Sequence, residues 1–306
     1  MNSSSLTILG SSGALPAYGR FPTCQYLTIQ NQHFLIDCGE GAQMQLTAFD
    51  IPVHKVTHIF ISHLHGDHYL GLTGLLFSMH LQKRQADLHL FSSPGLNEII
   101  LLHLKYSKSV LNYKIIFHSF NPEEKNLIWE DDVVTVETIP LIHKLACAGF
   151  LFKEKEKPRR IDKSKLRSDV LLQHIVLLKK GEDVVDDSGN IIHKNVDFTL
   201  SPNPSLSYAY CSDTAFNPSM VEQISGVDLL YHEATFMEQE IDKAIETKHS
   251  TARQSAEIAR LSNVKKLIIG HFSARYRDLQ PLLDEALIVF PNTFLAVEGQ
   301  TFNLDA

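Results

Sequence analysis

Apolar positions along this chain fall into short blocks, and the period of the blocks changes from one to the next. Ser5–Gly10, Gln25–Gln30 and His33–Asp37 are brief runs rich in Leu, Ile, Thr and Tyr, which predicts strands. The last two read as a hairpin around Asn31–Gln32, and Gly41–Phe49 then reads as a helix. Lys55–Ser62 is a further strand, with Ile59, Phe60 and Ile61 as a continuous buried run. From Leu70 to Leu81 a helical period returns, with Leu72, Leu75, Leu76 and Met79 on one face. Asp87–Phe91 and Lys114–His118 read as strands, with a helix starting at Ser93–Pro94 between them. Trp129–Pro140 contains the alternating run Val134, Val136 and Thr138, which reads as a half-exposed strand.

The pattern breaks between about 150 and 197. Lys153–Arg167 has almost no large apolar residue, Asp187–Asn190 reads as a turn, and Ser201–Pro204 closes the segment. Regular alternation resumes at Ser207–Cys211. It continues through a helix near Pro218–Ile224, a strand at Asp228–His232, a helix at Thr251–Leu261, a strand at Val264–His271 and a helix at Leu279–Phe290. Strands in two groups, each interleaved with helices, predict an α/β fold of two mixed sheets face to face with helices outside. The expected organisation is one domain over 1–306 carrying an inserted arm at 150–197.

Composition adds little for the body and more for the arm. Of 306 residues, 44% are hydrophobic and 21% charged, as in ordinary globular chains. No apolar run approaches the roughly 20 residues of a membrane span. Met1–Ser5 has no basic start and no apolar stretch after it, so secretion is not indicated. Cys24, Cys38, Cys147 and Cys211 form no C-x-x-C pair and read as reduced, buried thiols of a cytoplasmic protein. The net charge is −7, which taken alone argues against a nucleic-acid partner. Yet residues 151–180 hold ten basic against four acidic side chains, a basic segment on an acidic body. Extending the window to 190 adds Glu182, Asp183, Asp186 and Asp187 and reduces that excess.

Sixteen histidines are about twice the usual share. The strongest local signal is His63-x-His65-x-Asp67-His68, directly after a buried strand. Three imidazoles and a carboxylate within six residues suit Zn²⁺, which takes nitrogen ligands and tolerates oxygen. Capping or surface histidines are the plain alternative, at an unmatched desolvation cost beside the buried strand. One ion on the His-x-His pair and a second on Asp67–His68 would need further ligands. His143, Asp213 and His271 each follow a strand; each alone reads as a satisfied core residue, but together they complete two sites with Asp213 as bridge. His33, His54, His58, His80, His89, His103, His118, His174 and His193 lack ligand spacing.

With these residues the chain resembles the metallo-β-lactamase superfamily. Asp37-Cys-Gly-Glu-Gly41, His232-Glu-Ala-Thr-Phe236, Lys248-His-Ser-Thr251 and Gly270-His-Phe-Ser-Ala-Arg-Tyr276 narrow the resemblance to ribonuclease Z, from about residue 5 to the end. The resemblance implies an αββα sandwich, two Zn²⁺ per subunit, a homodimer of the short form, and removal of the 3′ trailer from precursor tRNA. It further implies a 3′-hydroxyl on the tRNA and a 5′-phosphate on the trailer. Asp67 would then be both ligand and orienting base, His249 the proton donor to the leaving oxygen, and Glu233 the group that fixes the tautomer of His249. Without the resemblance, His249 reads as a residue at a helix N-terminus.

Other residues keep two readings. Asp37 either orients a ligand histidine or shapes a Gly-rich turn. Arg275 either meets a phosphate or pairs with an acidic neighbour, and Ser62 reads as structural. By the same resemblance the arm grips tRNA through Lys153, Lys155, Lys157, Arg159, Arg160, Lys163, Lys165 and Arg167; otherwise these belong to a solvated loop. The family's Gly- and Pro-rich arm tip is absent. Val170–Leu178 stands in its place, an apolar run that forms a helix or packs on a partner subunit. A small-molecule phosphodiesterase or ester hydrolase of the same superfamily is the alternative function; it needs the metals but not the arm.

Overall fold

A computed structural model describes residues 4–304, so the reading of Met1–Ser3 and the last two residues of the expected domain lie outside it. The chain begins with β1 (Ser5–Gly10), β2 (Cys24–Ile29), β3 (Gln32–Ile36), α1 (Ala42–Ala48) and β4 (His58–Phe60). It continues with α2 (Gly66–Leu81), β5 (Leu88–Ser92), α3 (Leu96–Tyr106) and β6 (Ile115–Ser119). A second group opens with β7 (Leu127–Glu130), β8 (Val134–Leu141) and β9 (Cys147–Glu154). A small unit follows, with β10 (Arg160–Ile161), α4 (Leu172–Lys180), β11 (Val184–Val185), β12 (Ile191–His193), α5 (Asn195–Phe198) and β13 (Thr199–Leu200). The body resumes with β14 (Ser207–Cys211), β15 (Leu229–Glu233), α6 (Ile241–Thr247), α7 (Ala252–Leu261) and β16 (Lys266–Gly270). It closes with α8 (Gln280–Val289), β17 (Thr293–Leu295) and β18 (Thr301–Asn303).

The body holds two seven-stranded mixed sheets, ordered β18-β1-β2-β3-β4-β5-β6 and β17-β16-β15-β14-β9-β8-β7. Side-chain alternation sorts them into layers. On β3 and β4, Phe34, Ile36 and Phe60 join the core between the sheets, whereas Leu35 and Ile59 join Leu46, Leu75 and Met79 under α1 and α2. Across the sandwich Phe34 meets Phe152 at 5.4 Å and Phe60 meets Phe150 at 5.3 Å between ring centroids. Ala256, Ala259 and Ala286 of α7 and α8 pack on the outer face of the second sheet, completing the expected αββα arrangement.

Several boundaries differ from the sequence reading. α2 starts at Gly66 rather than Leu70, which puts Asp67 and His68 in its first turn. The expected strand through Val134, Val136 and Thr138 is β8, and β7 before it makes a hairpin turned by Asp131, whose carboxylate accepts the N–H groups of Val133 and Val134. The expected helix near 218–224 is one 3₁₀ turn capped by Asn217. β9, α6, β17 and β18 were not anticipated. The arm forms a compact unit at Glu154–Ser205, because residues 150–153 belong to β9 and pair with β14. Within that unit Leu178, Val184 and Phe198 make a small core, and the apolar run becomes helix α4, stopped by Gly181 at φ 90°. All four cysteines are free and buried, and no helix among the described residues is long and apolar enough to cross a membrane.

The first turn of α2 is held by close backbone contact. Cys38 N–H donates to the His68 carbonyl at 2.7 Å, and Gly71 N–H donates to the Cys38 carbonyl at 3.0 Å. A Cβ on Gly71 would lie 2.0 Å from the Gly39 carbonyl oxygen. Replacing a helical Gly by Ala gains up to about 1 kcal/mol in propensity. Here the obstacle is backbone, which cannot swing aside, so overpacking of about 1–3 kcal/mol or more should win. Gly71→Ala is therefore expected to be destabilised in chemical denaturation; equal or greater stability would show that the contact is not tight.

Candidate metal centre

The candidate ligands gather because they all leave strand ends. His63 and His65 follow β4, Asp67 and His68 open α2, and His143, Asp213 and His271 follow β8, β14 and β16. Parallel strands β14, β15 and β16 run side by side, so their C-terminal residues arrive together, where α/β folds place their ligands. His271 and Asp37 both adopt left-handed backbone, at φ 59° and 53°. Such conformations cost energy in non-glycine residues and cluster at sites.

Two groups of donors result. His65 Nδ1 lies 2.9 Å from His63 Nε2 and 3.2 Å from His143 Nε2, and Asp213 Oδ2 lies 3.6 Å from each of His63 and His143 Nε2. On the other side Asp67 Oδ2 is 3.5 Å from His68 Nε2 and 3.3 Å from His271 Nε2. The second Asp213 oxygen, Oδ1, is 3.3 Å from His68 Nε2 and 3.2 Å from His271 Nε2. Asp213 thus offers one oxygen to each group. A tetrahedral site with bonds of about 2.0–2.1 Å has donor–donor edges near 3.3–3.4 Å, and these spacings bracket that value. His68 Nε2 is buried between Asp67 and Asp213 oxygens without a well-formed hydrogen bond to either, a setting that suits a metal-ligand nitrogen.

The remaining ring nitrogens are held from behind, which fixes the tautomers. His68 Nδ1–H donates to Asp37 at 2.7 Å, and His143 Nδ1–H donates to the Lys248 carbonyl at 2.9 Å. His63 Nδ1 sits 3.1 Å from Ser62 Oγ, and His271 Nδ1 sits 3.0 Å from Thr235 Oγ1. Asp37 resolves in favour of orienting a histidine: it also accepts Ser62 N–H at 2.8 Å, Ser62 O–H at 2.9 Å and Tyr210 O–H at 2.5 Å. Ser62 is structural in the strict sense that it joins Asp37 to His63.

Electrostatics also call for cations. Burial opposes the charges of Asp67 and Asp213, yet the surrounding imidazoles hold both carboxyls below the usual range. Burial likewise opposes protonation of His68, but Asp213, Asp37 and Asp67 outweigh it and raise its basicity. Carboxylates buried this closely need a positive partner. Glu233, fully buried, bonds His249 Nδ1 at 2.7 Å and accepts Thr214 and Thr235 N–H as well. Burial weakens the His249 cation, and Glu233 more than restores it, raising the imidazole to about 9. The His249 side chain keeps 15% exposure, against none for Glu233, so it is the member of the pair that reaches solvent. Its ring lies 4.9 Å from that of His143 and 5.5 Å from that of His271.

A cavity of about 510 Å³ opens over the cluster, lined by Ala14–Pro16, His65, Asp67, His143, Lys144, His249 and His271. Thr235, Lys248, Lys144 and Tyr210 were missed in the sequence. Thr235 and Lys248 lie inside the His232–Phe236 and Lys248–Thr251 motifs, which gave them no role of their own; Lys144 and Tyr210 depend on tertiary placement. Arg275 takes the second of its two readings, ion-paired with Glu240 and over the Phe236 ring at 5.1 Å. The arm's basic residues divide. Lys157 pairs with Glu154, Arg167 with Asp169, Arg159 bonds Thr199 and Arg160 the Ser201 carbonyl. Lys153 lies in the body at the end of β9, near Glu137, and Lys155 holds Ser205 through its carbonyl. Lys163 and Lys165 are exposed and outside any ion pair among the described residues.

Residues 4–157 match the family model for anti-Pycsar protein Apyc1. That half contains His63, His65, Asp67, His68 and His143 but none of Asp213, Glu233, His249 or His271. Similarity over nearly the whole chain is to proteins named ribonuclease Z. That of Bacteroides fragilis is 47% identical over 98% of both chains, and that of Cytophaga hutchinsonii 48% identical over 97% of this chain and 95% of its own. In fold the chain is similar to the short form of human tRNase Z, with TM-score 0.72 and 24% identity over 98% of this chain and 99% of that one. It is also similar to the metallo-β-lactamase fold protein YhfI from Bacillus subtilis, with TM-score 0.69 and 17% identity over 98% and 99%.

If Asp37 holds His68 for metal, Asp37→Asn should weaken zinc affinity by roughly 10–100-fold in a chelator competition. Wild-type affinity in that variant would assign Asp37 to the turn alone.

Proposed function

The chain belongs to the ribonuclease Z family, hydrolytic endoribonucleases on the metallo-β-lactamase fold, and on that premise we propose how its residues cut precursor tRNA. The observation that carries the reading is the adjacency of the two donor groups to the Glu233–His249 pair at the floor of one open cavity. His63, His65 and His143 with one Asp213 oxygen would hold one Zn²⁺; Asp67, His68 and His271 with the other would hold the second. When bound, a pair of such ions supplies a water of lowered pKa and a positive clamp on the phosphate.

The chain's own groups do the rest. Asp67 accepts the Ala14 N–H at 2.7 Å and so is fixed at the cavity wall, where it can orient the attacking water. In-line attack on phosphorus expels the ribose 3′ oxygen. His249, protonated through its bond to Glu233, gives that oxygen its proton, leaving a 3′-hydroxyl on the tRNA and a 5′-phosphate on the trailer. Lys144 at the cavity mouth supplies positive charge to the incoming backbone. Lys163 and Lys165 of the 154–205 unit add affinity without base specificity. Arg275 would contact substrate only if its pair with Glu240 opened.

We read the working molecule as a cytoplasmic homodimer. The exposed Leu101, Leu102 and Tyr106 of α3, with Val110 after it, support a surface covered by a second copy.

Metal-loaded protein should cut a 3′-extended precursor next to the discriminator base, with the product ends mapped as above. His65→Ala should lose at least about 100-fold in cleavage while still binding the precursor. Rapid turnover of a simple phosphodiester with no precursor cleavage would transfer the function to the small-molecule reading. Replacing both Lys163 and Lys165 by Ala should raise the precursor KM and reduce the slope of log affinity against log salt by about 2. An unchanged slope would remove these lysines from the interface.

A further inference from the structure

The segment between β1 and β2 contains a strained feature that the chemistry above does not use. Ala17 and Arg20 pair across a two-residue turn, with N–H···O distances of 3.2 and 2.9 Å, and Tyr18 and Gly19 form its tip. Both tip residues have positive φ, 55° and 80°. Tight hairpin turns of that kind take Asn, Asp or Gly at the first tip position, because a bulky side chain is strained there. Here the position carries a tyrosine, and its side chain stays outside the apolar core: Tyr18 is 58% exposed.

The turn is held rigidly. The Glu298 carboxylate accepts Ser11 N–H, Ser11 O–H and Phe21 N–H. Arg20, only 8% exposed, donates to the Tyr276 carbonyl at 2.7 Å. The Tyr18 ring then sits with two guanidinium carbons near its face, Arg20 at 5.4 Å and Arg277 at 5.9 Å. Arg277 is exposed and makes no ion pair among the described residues. The same loop supplies Ala14, Leu15 and Pro16 to the wall of the metal cavity, and Ala14 bonds Asp67 directly.

We propose that Tyr18 is a stacking platform for an unpaired nucleobase of the substrate next to the cleaved phosphodiester, with Arg277 facing the adjoining phosphate. An exposed ring has a π-face for any base, and stacking of this kind is sequence-tolerant. A guanidinium beside it adds attraction for the backbone. A rigid turn presents the ring without an ordering cost on binding. This inference rests on the RNA reading of the site.

The test is Tyr18→Asn, set beside Tyr18→Phe and Tyr18→Trp. Asn tolerates positive φ, so the variant should melt at or above the wild-type temperature. Its KM for precursor should nevertheless rise roughly 5–100-fold, the loss falling on KM rather than kcat. Tyr18→Phe and Tyr18→Trp should stay near wild type. A labelled single-stranded oligoribonucleotide, titrated onto the metal-loaded proteins, reads the same affinity without cleavage. Wild-type KM and oligonucleotide affinity in Tyr18→Asn would overturn the platform, as would an equal loss in Tyr18→Phe. If wild type binds the oligonucleotide through Tyr18 but leaves precursor uncut, the processing reading fails and the platform stands.

Discussion

A single buried carboxylate ties this molecule together. Asp37 has no solvent exposure and accepts from Ser62, His68 and Tyr210. Those donors come from the end of β4, the first turn of α2 and β14 of the opposite sheet. A charge taken out of water is tolerable only when its oxygens are satisfied, so the network fixes the three elements relative to one another. The left-handed backbone at Asp37 is one cost of aiming that carboxylate inward. The position of His68, and through it the second donor group, follows from this constraint.

From there the site is arranged around charge. Four carboxylates, Asp37, Asp67, Asp213 and Glu233, lie among six imidazoles in one wall of the sandwich. Asp213 faces both donor groups, which suits a pair of cations sharing one anionic ligand. Glu233 stands apart, its oxygens taken by Thr214, Thr235 and His249, so its charge is spent on one imidazole. Two acid–base environments thus sit a few ångströms apart, one suited to metal and one to a proton donor.

The 154–205 unit has a different physics. Its core is small, and many of its basic side chains are occupied by Glu154, Asp169, Thr199 and the Ser201 carbonyl. Charge counted along the sequence therefore overstates the charge offered to a phosphate backbone. Leu172, Val176 and Val196 are meanwhile left exposed, which an arm relying on lysines alone would not require.

The sequence by itself determined the layer order and singled out the candidate ligands that the fold gathers. Period-2 alternation at Phe34, Leu35 and Ile36 settles which side chains face the other sheet, and the strand before His63 locates the motif. These are local properties, carried by neighbours along the chain. Short edge strands such as β17 and β18 escaped because three residues carry too little periodicity to register. The Arg159 and Arg160 bonds to Thr199 and Ser201, the Lys248 and Thr235 braces and the fourfold bonding of Asp37 join residues tens to more than a hundred positions apart. Only the tertiary structure decided them, because a hydrogen bond depends on which strand ends meet in space, and spacing along the chain does not encode that.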